Sequence, residues 1–184
     1  MRDLPDVSLF ASDGFWNHWH VVCYSDPSNG GTPCTGSPVC WSGSGGTSFA
    51  APLMADIQAM TNQAAAGYQG NPNFVYYSLA AQEYDFGGAS CNSTLGTQAT
   101  PHCIFHDVTL GDNDMDCQPM LDASGNTVGT FNCHLPSGTY GVLSPSNSLY
   151  APAYGATRGW DFATGLGSVD AYNLVSSWPG AQLH

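Results

Sequence analysis

From Thr47 to about Ala66 the apolar residues Phe49, Ala50, Leu53, Met54, Ile57 and Met60 recur at spacings of three and four, the rhythm of a helix that buries one face. No other stretch is as strongly periodic, so this helix is the firmest structural element the chain offers. Pro52 is read as lying in its first turn, where a missing N–H costs little, and Gly67 as its stop. Gly45-Gly46-Thr47-Ser48 leads into it and sets a hydroxyl at its mouth. Unpaired N–H groups and the positive end of the helix dipole favour a developing oxyanion there, while the glycines let the backbone turn sharply and let a carbonyl approach. The plainer alternative is that Ser48 caps the helix and does no chemistry.

Shorter elements surround this helix. Strands are expected within 5–11 and 19–24, and a Gly-, Ser- and Pro-rich loop over 25–46. A second helix is expected from Pro72 to about Ala81 and a strand over 104–109. Residues 111–158 read as loop with one hairpin at Gly125-Asn126, between Leu121 and Val128. A last helix is expected over 167–177, and there is no internal repeat.

Charge narrows the partners. Fourteen acidic residues face only Arg2 and Arg158, a net charge of −12, so nucleic acid is excluded for want of clustered cations. Charged residues are only 9% of the chain. Such a composition suits acid, because neutral hydrogen bonds and aromatic packing do not titrate as Lys–carboxylate pairs do. Seven cysteines, Cys23, Cys34, Cys40, Cys91, Cys103, Cys117 and Cys133, contain no C-x-x-C pair and fit disulfides in an oxidising compartment. Their odd number leaves one thiol without a partner in the chain. No apolar run is long enough to span a membrane, and the N-terminus lacks the apolar core of a signal peptide.

Several motifs together resemble one family. Gly46-Thr47-Ser48 followed by Ala51-Pro52 resembles the nucleophile motif that subtilisins and sedolisins share. Arg2-Asp3-Leu4-Pro5-Asp6-Val7-Ser8, Asp107-Val108-Thr109-Leu110-Gly111 and Gly159-Trp160-Asp161-Phe162-Ala163-Thr164-Gly165-Leu166-Gly167 resemble sedolisins, the serine-carboxyl peptidases, in that family's order. The resemblance implies an α/β fold with a parallel sheet, the C-terminal half of a subtilisin-like domain spanning 1–184, with a calcium region over about 104–170. It implies that Ser48 is the nucleophile of a secreted endopeptidase acting on peptides or proteins in acid. It further implies one calcium ion, held by the side chains of Asp107 and Asp161 and the carbonyls of Val108, Thr157 and Gly159, where Thr157 replaces an expected Gly. A shell of carboxylates and carbonyls suits calcium and no softer metal.

The family's catalytic Glu and Asp are not matched. The chain's one Glu, Glu83, follows Ser48 and reads as a solvated helix-end carboxylate. The acids are expected in a missing N-terminal half, the chain's partner, so the isolated chain is expected to be inactive. The rival reading is a noncatalytic, calcium-stabilised secreted module. Lesser candidates are discounted: an EF-hand at Asp112, Asp114 and Asp116, which has Cys117 and Ala123 where Gly and Glu belong; zinc at His18, His20 and Cys23; and a triad of Asp13 with His18 or His20. Asn92-Ser93-Thr94 is a glycosylation sequon.

Overall fold

The computed structural model describes residues 4–12, 18–35, 41–85, 88–129, 132–135, 138–146, 148–151 and 153–180. Expectations placed on Arg2, Asp3, Asp13 and Cys40 lie outside them. The chain divides into two compact units, one of Met1–Ser8 with Tyr77–Asp170 and one of Leu9–Tyr76 with Ala171–His184.

The second unit is built on helix α1, Thr47–Ala64. It matches the periodic stretch, but of the apolar set only Ile57 is buried, joined by Thr61, whose hydroxyl donates to the Ile57 carbonyl at 2.9 Å. The helix begins at Thr47, so Pro52 lies in its second turn and not its first. Its missing N–H therefore leaves the Ser48 carbonyl without the usual helical donor. At the far end Ala66, not a glycine, takes the left-handed conformation (φ 53°), with Ala66 N–H bonded to Gln63 and Gly67 N–H to the Asn62 carbonyl. This is a Schellman closure made with the wrong residue. Helix α3, Ala171–Ser177, packs on α1. Beyond it the buried Trp178 donates to Gln69 at 3.0 Å and meets Tyr76 edge-on, ring centroids 5.8 Å apart. Strands β1, His20–Val22, and β2, Ser42–Ser44, form an antiparallel pair, so the loop expected over 25–46 contains a strand. The ring of Trp19 lies flat against Gly43, where any Cβ would fall 2.6 Å from it.

Helix α2, Asn73–Asp85, runs four residues past its expected end. The first unit holds its C-terminal part and a set of very short strands. These are β3, Phe105–His106; β4, Asp116–Cys117; β5, Met120–Leu121; β6, Thr127–Gly129; β7, Cys133–His134; β8, Gly141–Leu143; and β9, Ser168–Val169. The hairpin expected at Gly125-Asn126 is β5–β6. Its turn is organised by Asp122, whose carboxylate accepts the N–H groups of Ser124 and Asn126. The rest of the stretch read as loop holds a three-stranded sheet, β4–β8–β7.

The expected parallel sheet of a subtilisin-like half is not what forms. All paired strands run antiparallel, and parallel contact among the described residues is confined to the isolated bridges Ser8–Ser168 and Asn92–Asp107. Parallel strands need long crossovers and continuous apolar runs, because both their faces are buried. Here strands of two or three residues are punctuated by Gly, Ser, Asp and Cys and tied by short disulfide loops, which suits local antiparallel pairing. The disulfides are Cys23–Cys34, Cys91–Cys103 and Cys117–Cys133.

Candidate functional site

In the second unit Ser48 is the second residue of α1 and is exposed. The capping reading fails. The N-cap is Gly46, at φ 98° and ψ 160°, a conformation that costs a glycine little and a side chain much, and no side chain caps the helix. The Gly46 N–H is tied to the Ala11 carbonyl at 2.7 Å, and the Gly46 carbonyl accepts from Phe49 at 3.0 Å. The Ser48 hydroxyl thus stands beside the unpaired N–H groups of a first turn, with no hydrogen-bond partner of its own among the described residues. His20 stacks on Phe49, centroids 4.8 Å apart and planes 9° from parallel, but its Nε2 is 3.0 Å from the Phe10 carbonyl. It is held as a packed ring and makes no hydrogen bond to Ser48. Cys23 is in a disulfide, so no thiolate is available for zinc with His18 and His20.

The first unit brings the carboxylates of Asp107 and Asp161 together from distant parts of the sequence. Asp107 follows β3 and is 1% exposed; Asp161 is 5% exposed. Asp161 is crowded with donors: its Oδ1 accepts Ala163 N–H at 2.9 Å, Thr164 N–H at 2.7 Å and the Thr164 hydroxyl at 3.1 Å, and its Oδ2 accepts Thr157 N–H at 2.7 Å. Asp107 is underserved. Its Oδ2 accepts Gly159 N–H at 3.0 Å, while its Oδ1 is buried with no partner. Burial pushes the Asp107 carboxyl above its ordinary pKa; the Gly159 N–H opposes this, the charge of Asp161 adds to it, and Arg158 opposes it weakly. Arg158 is exposed and forms no ion pair with either acid.

Two buried carboxylates without a cation are costly, and an orphaned buried oxygen has to be explained. A hard cation satisfies both needs, so the residues fit calcium. Asp161 organises the loop and Asp107 offers the open oxygen. Of the other implied ligands, Thr157 and Gly159 are joined to these carboxylates through their N–H groups, and Val108 follows Asp107.

The surroundings hold contacts no motif announced. The Pro5 carbonyl accepts the Trp160 indole N–H at 3.0 Å, the Asp6 carbonyl accepts Leu166 N–H at 2.8 Å, and Ser8 N–H donates to the Gly167 carbonyl at 3.0 Å. The start of the described chain is therefore laced to the Asp161 loop. Gly167, at φ 94°, backs onto the His106 carbonyl so closely that a Cβ there would collide with it. Tyr84 donates to the Leu166 carbonyl at 3.2 Å; burial first, then the charges of Asp107, Glu83 and Asp161, raise its pKa.

Glu83 is not a solvated carboxylate. It is half-buried and accepts Ile104 N–H at 2.7 Å and Phe105 N–H at 3.3 Å, securing the start of β3. Burial raises its pKa, against those two N–H groups and His106. It also lies close to the sulfurs of Cys91 and Cys103, but these are joined in a disulfide and cannot serve as thiolate ligands. Asp112, Asp114 and Asp116 do not form an EF-hand. Asp112 accepts Asp114 N–H and the Tyr150 hydroxyl, and Asp114 accepts Ala153 N–H. Asp112 pushes the Tyr150 phenol up to about 12. No family model, curated protein or solved structure matches the chain.

Proposed function

We propose that this chain is part of a secreted serine-type endopeptidase of the serine-carboxyl kind, resembling sedolisins, that acts in acid through an acyl-enzyme on Ser48 and is steadied by one calcium ion. The observation that carries the reading is the state of Ser48: an exposed hydroxyl, without a hydrogen-bond partner among the described residues, at the positive end of a helix led in by Gly46. A serine that only caps would accept a backbone N–H.

In the proposed reaction the Ser48 hydroxyl loses its proton to a base as its oxygen bonds to the peptide carbonyl carbon. The carbon–nitrogen bond then breaks, the amine leaves with a proton, and water hydrolyses the ester. A carboxylate is a competent base at a pH where imidazole is protonated. No carboxylate bonds to Ser48 among the described residues, so the base is assigned to Glu and Asp residues of another segment. Calcium would be held by Asp107 and Asp161 with the carbonyls of Val108, Thr157 and Gly159, and would supply positive charge to paired buried carboxylates. Three disulfides are compatible with an oxidising, extracellular setting; no helix among the described residues is long and apolar enough to cross a membrane.

Peptide hydrolysis tests the reading. The chain alone is expected to be inactive from acid to neutral pH. Supplied with a segment that carries the acids, it is expected to cleave peptides in acid and to lose this with Ser48→Ala. Turnover that survives Ser48→Ala, or none in the combined protein, overturns the assignment. That no carboxylate or imidazole among the described residues hydrogen-bonds to Ser48 favours a second reading, a noncatalytic calcium-stabilised module, which the latter result would support.

A further inference from the structure

Asp107 is held on both sides of its backbone by a loop that a disulfide closes. Its N–H donates to the Cys91 carbonyl at 2.9 Å, and its carbonyl accepts Ser93 N–H at 2.8 Å. Between these, Asn92 is bridged to Asp107, and its side-chain amide donates to the Thr109 hydroxyl at 2.9 Å. Cys91 is joined to Cys103, and the pair is 4% and 1% exposed. The residues after Cys103 run directly into β3, where Glu83 takes the Ile104 and Phe105 N–H groups. The disulfide therefore clamps the segment that grips Asp107 to the strand that delivers it. The carboxylate so positioned is the one with the orphaned oxygen.

We infer that the Cys91–Cys103 disulfide is a positioning element for a divalent cation at Asp107 and Asp161, so that cation affinity and the redox state of this disulfide are coupled. The inference rests on the calcium reading above. With the disulfide formed, residues 91–93 hold Asp107 in place before the ion arrives. With it opened, the ion must itself order that segment. Groups that orient metal ligands typically change metal affinity by about 10–100-fold, so opening the disulfide should weaken calcium binding about tenfold or more. Linkage makes the effect reciprocal: bound calcium shifts the thiol–disulfide equilibrium toward the disulfide by the same factor.

Two measurements test this. Calorimetric titration with calcium chloride should give a dissociation constant about tenfold or more larger for the Cys91→Ala, Cys103→Ala double variant than for the parent. The second uses the unaltered chain, equilibrated in dithiothreitol redox buffers with and without saturating calcium. A dithiothreitol thiolate attacks one sulfur and its second thiol resolves the mixed disulfide. The protein disulfide gains two electrons and two protons, and dithiothreitol becomes its cyclic disulfide. The Cys91–Cys103 midpoint, read by alkylation and peptide mass spectrometry, should fall by about 30 mV or more with calcium, the equivalent of tenfold for a two-electron couple. The midpoint of Cys23–Cys34, whose loop carries no proposed ligand, should stay. Equal calcium affinity in parent and double variant, or a Cys91–Cys103 midpoint that calcium leaves in place, overturns the coupling alone. A parent that binds no calcium overturns the cation reading, and the coupling with it.

Discussion

Asp107 and Asp161 are chemically alike, yet their surroundings divide the work between them. Asp161 accepts bonds from Thr157, Ala163 and Thr164 and so acts as the organiser of its own loop. Asp107 has one accepted bond, one orphaned oxygen and a raised pKa. Removing each should therefore have different results. Asp107→Asn keeps the shape and an oxygen for Gly159 while removing a buried charge, so in calcium-free solution it should be as stable as the parent or more so. It should not respond to calcium. Asp161→Ala strips several donors of their acceptor and should be destabilised with or without the ion, by about 1–3 kcal/mol. The parent should gain about 2.7 kcal/mol at a calcium concentration 100 times its dissociation constant, or roughly 5–10 °C in melting temperature. Thermal melts of the three proteins with calcium and with chelator decide this. A full calcium response in Asp107→Asn would place the ion elsewhere.

Among the elements, α1 shows how a good sequence signal yields the right helix and the wrong details. Its rhythm marks where it lies, because periodicity is a property of the local chain. Which of its apolar residues are covered depends on what packs there, and Leu53 and Met60 are left 44% and 45% exposed. The sequence places its stop at Gly67, but the left-handed position falls on Ala66, one residue early, where a Cβ is strained. Ala66→Gly should therefore stabilise the chain by about 0.5–1 kcal/mol. A urea midpoint that rises without a change in slope would bear this out; a lowered midpoint would mean that the closure does not strain Ala66. The strands carry the opposite lesson. At two or three residues each they show no alternation to detect, and β4, β7 and β8 pair around the Cys117–Cys133 disulfide, which joins β4 to β7.

At the scale of the whole molecule the acidic balance governs the response to pH. Glu83 has a folded-state pKa raised by burial, above its unfolded value of about 4.3. Its contribution is therefore fully present below the unfolded pKa and is lost as pH rises through the folded one. Falling pH also relieves the self-repulsion of a chain of net charge −12. Glu83→Gln cannot titrate, so the stability of the calcium-free parent relative to this variant should decline from acid toward neutral pH. Urea unfolding at a series of pH values measures it, and a difference that is flat or grows with pH contradicts the buried setting of Glu83. Much was legible without coordinates: the long helix and its serine, the hairpin near Gly125 and the cysteines' oxidising habit. These follow from local periodicity, turn chemistry and composition, which a chain carries whatever its neighbours do. The antiparallel pairing in place of a parallel sheet, the disulfide partners and the burial of Glu83 were decided by the tertiary structure alone. Each depends on contacts between separate segments, and which groups meet depends on how backbone donors, sulfurs and buried charges are satisfied together.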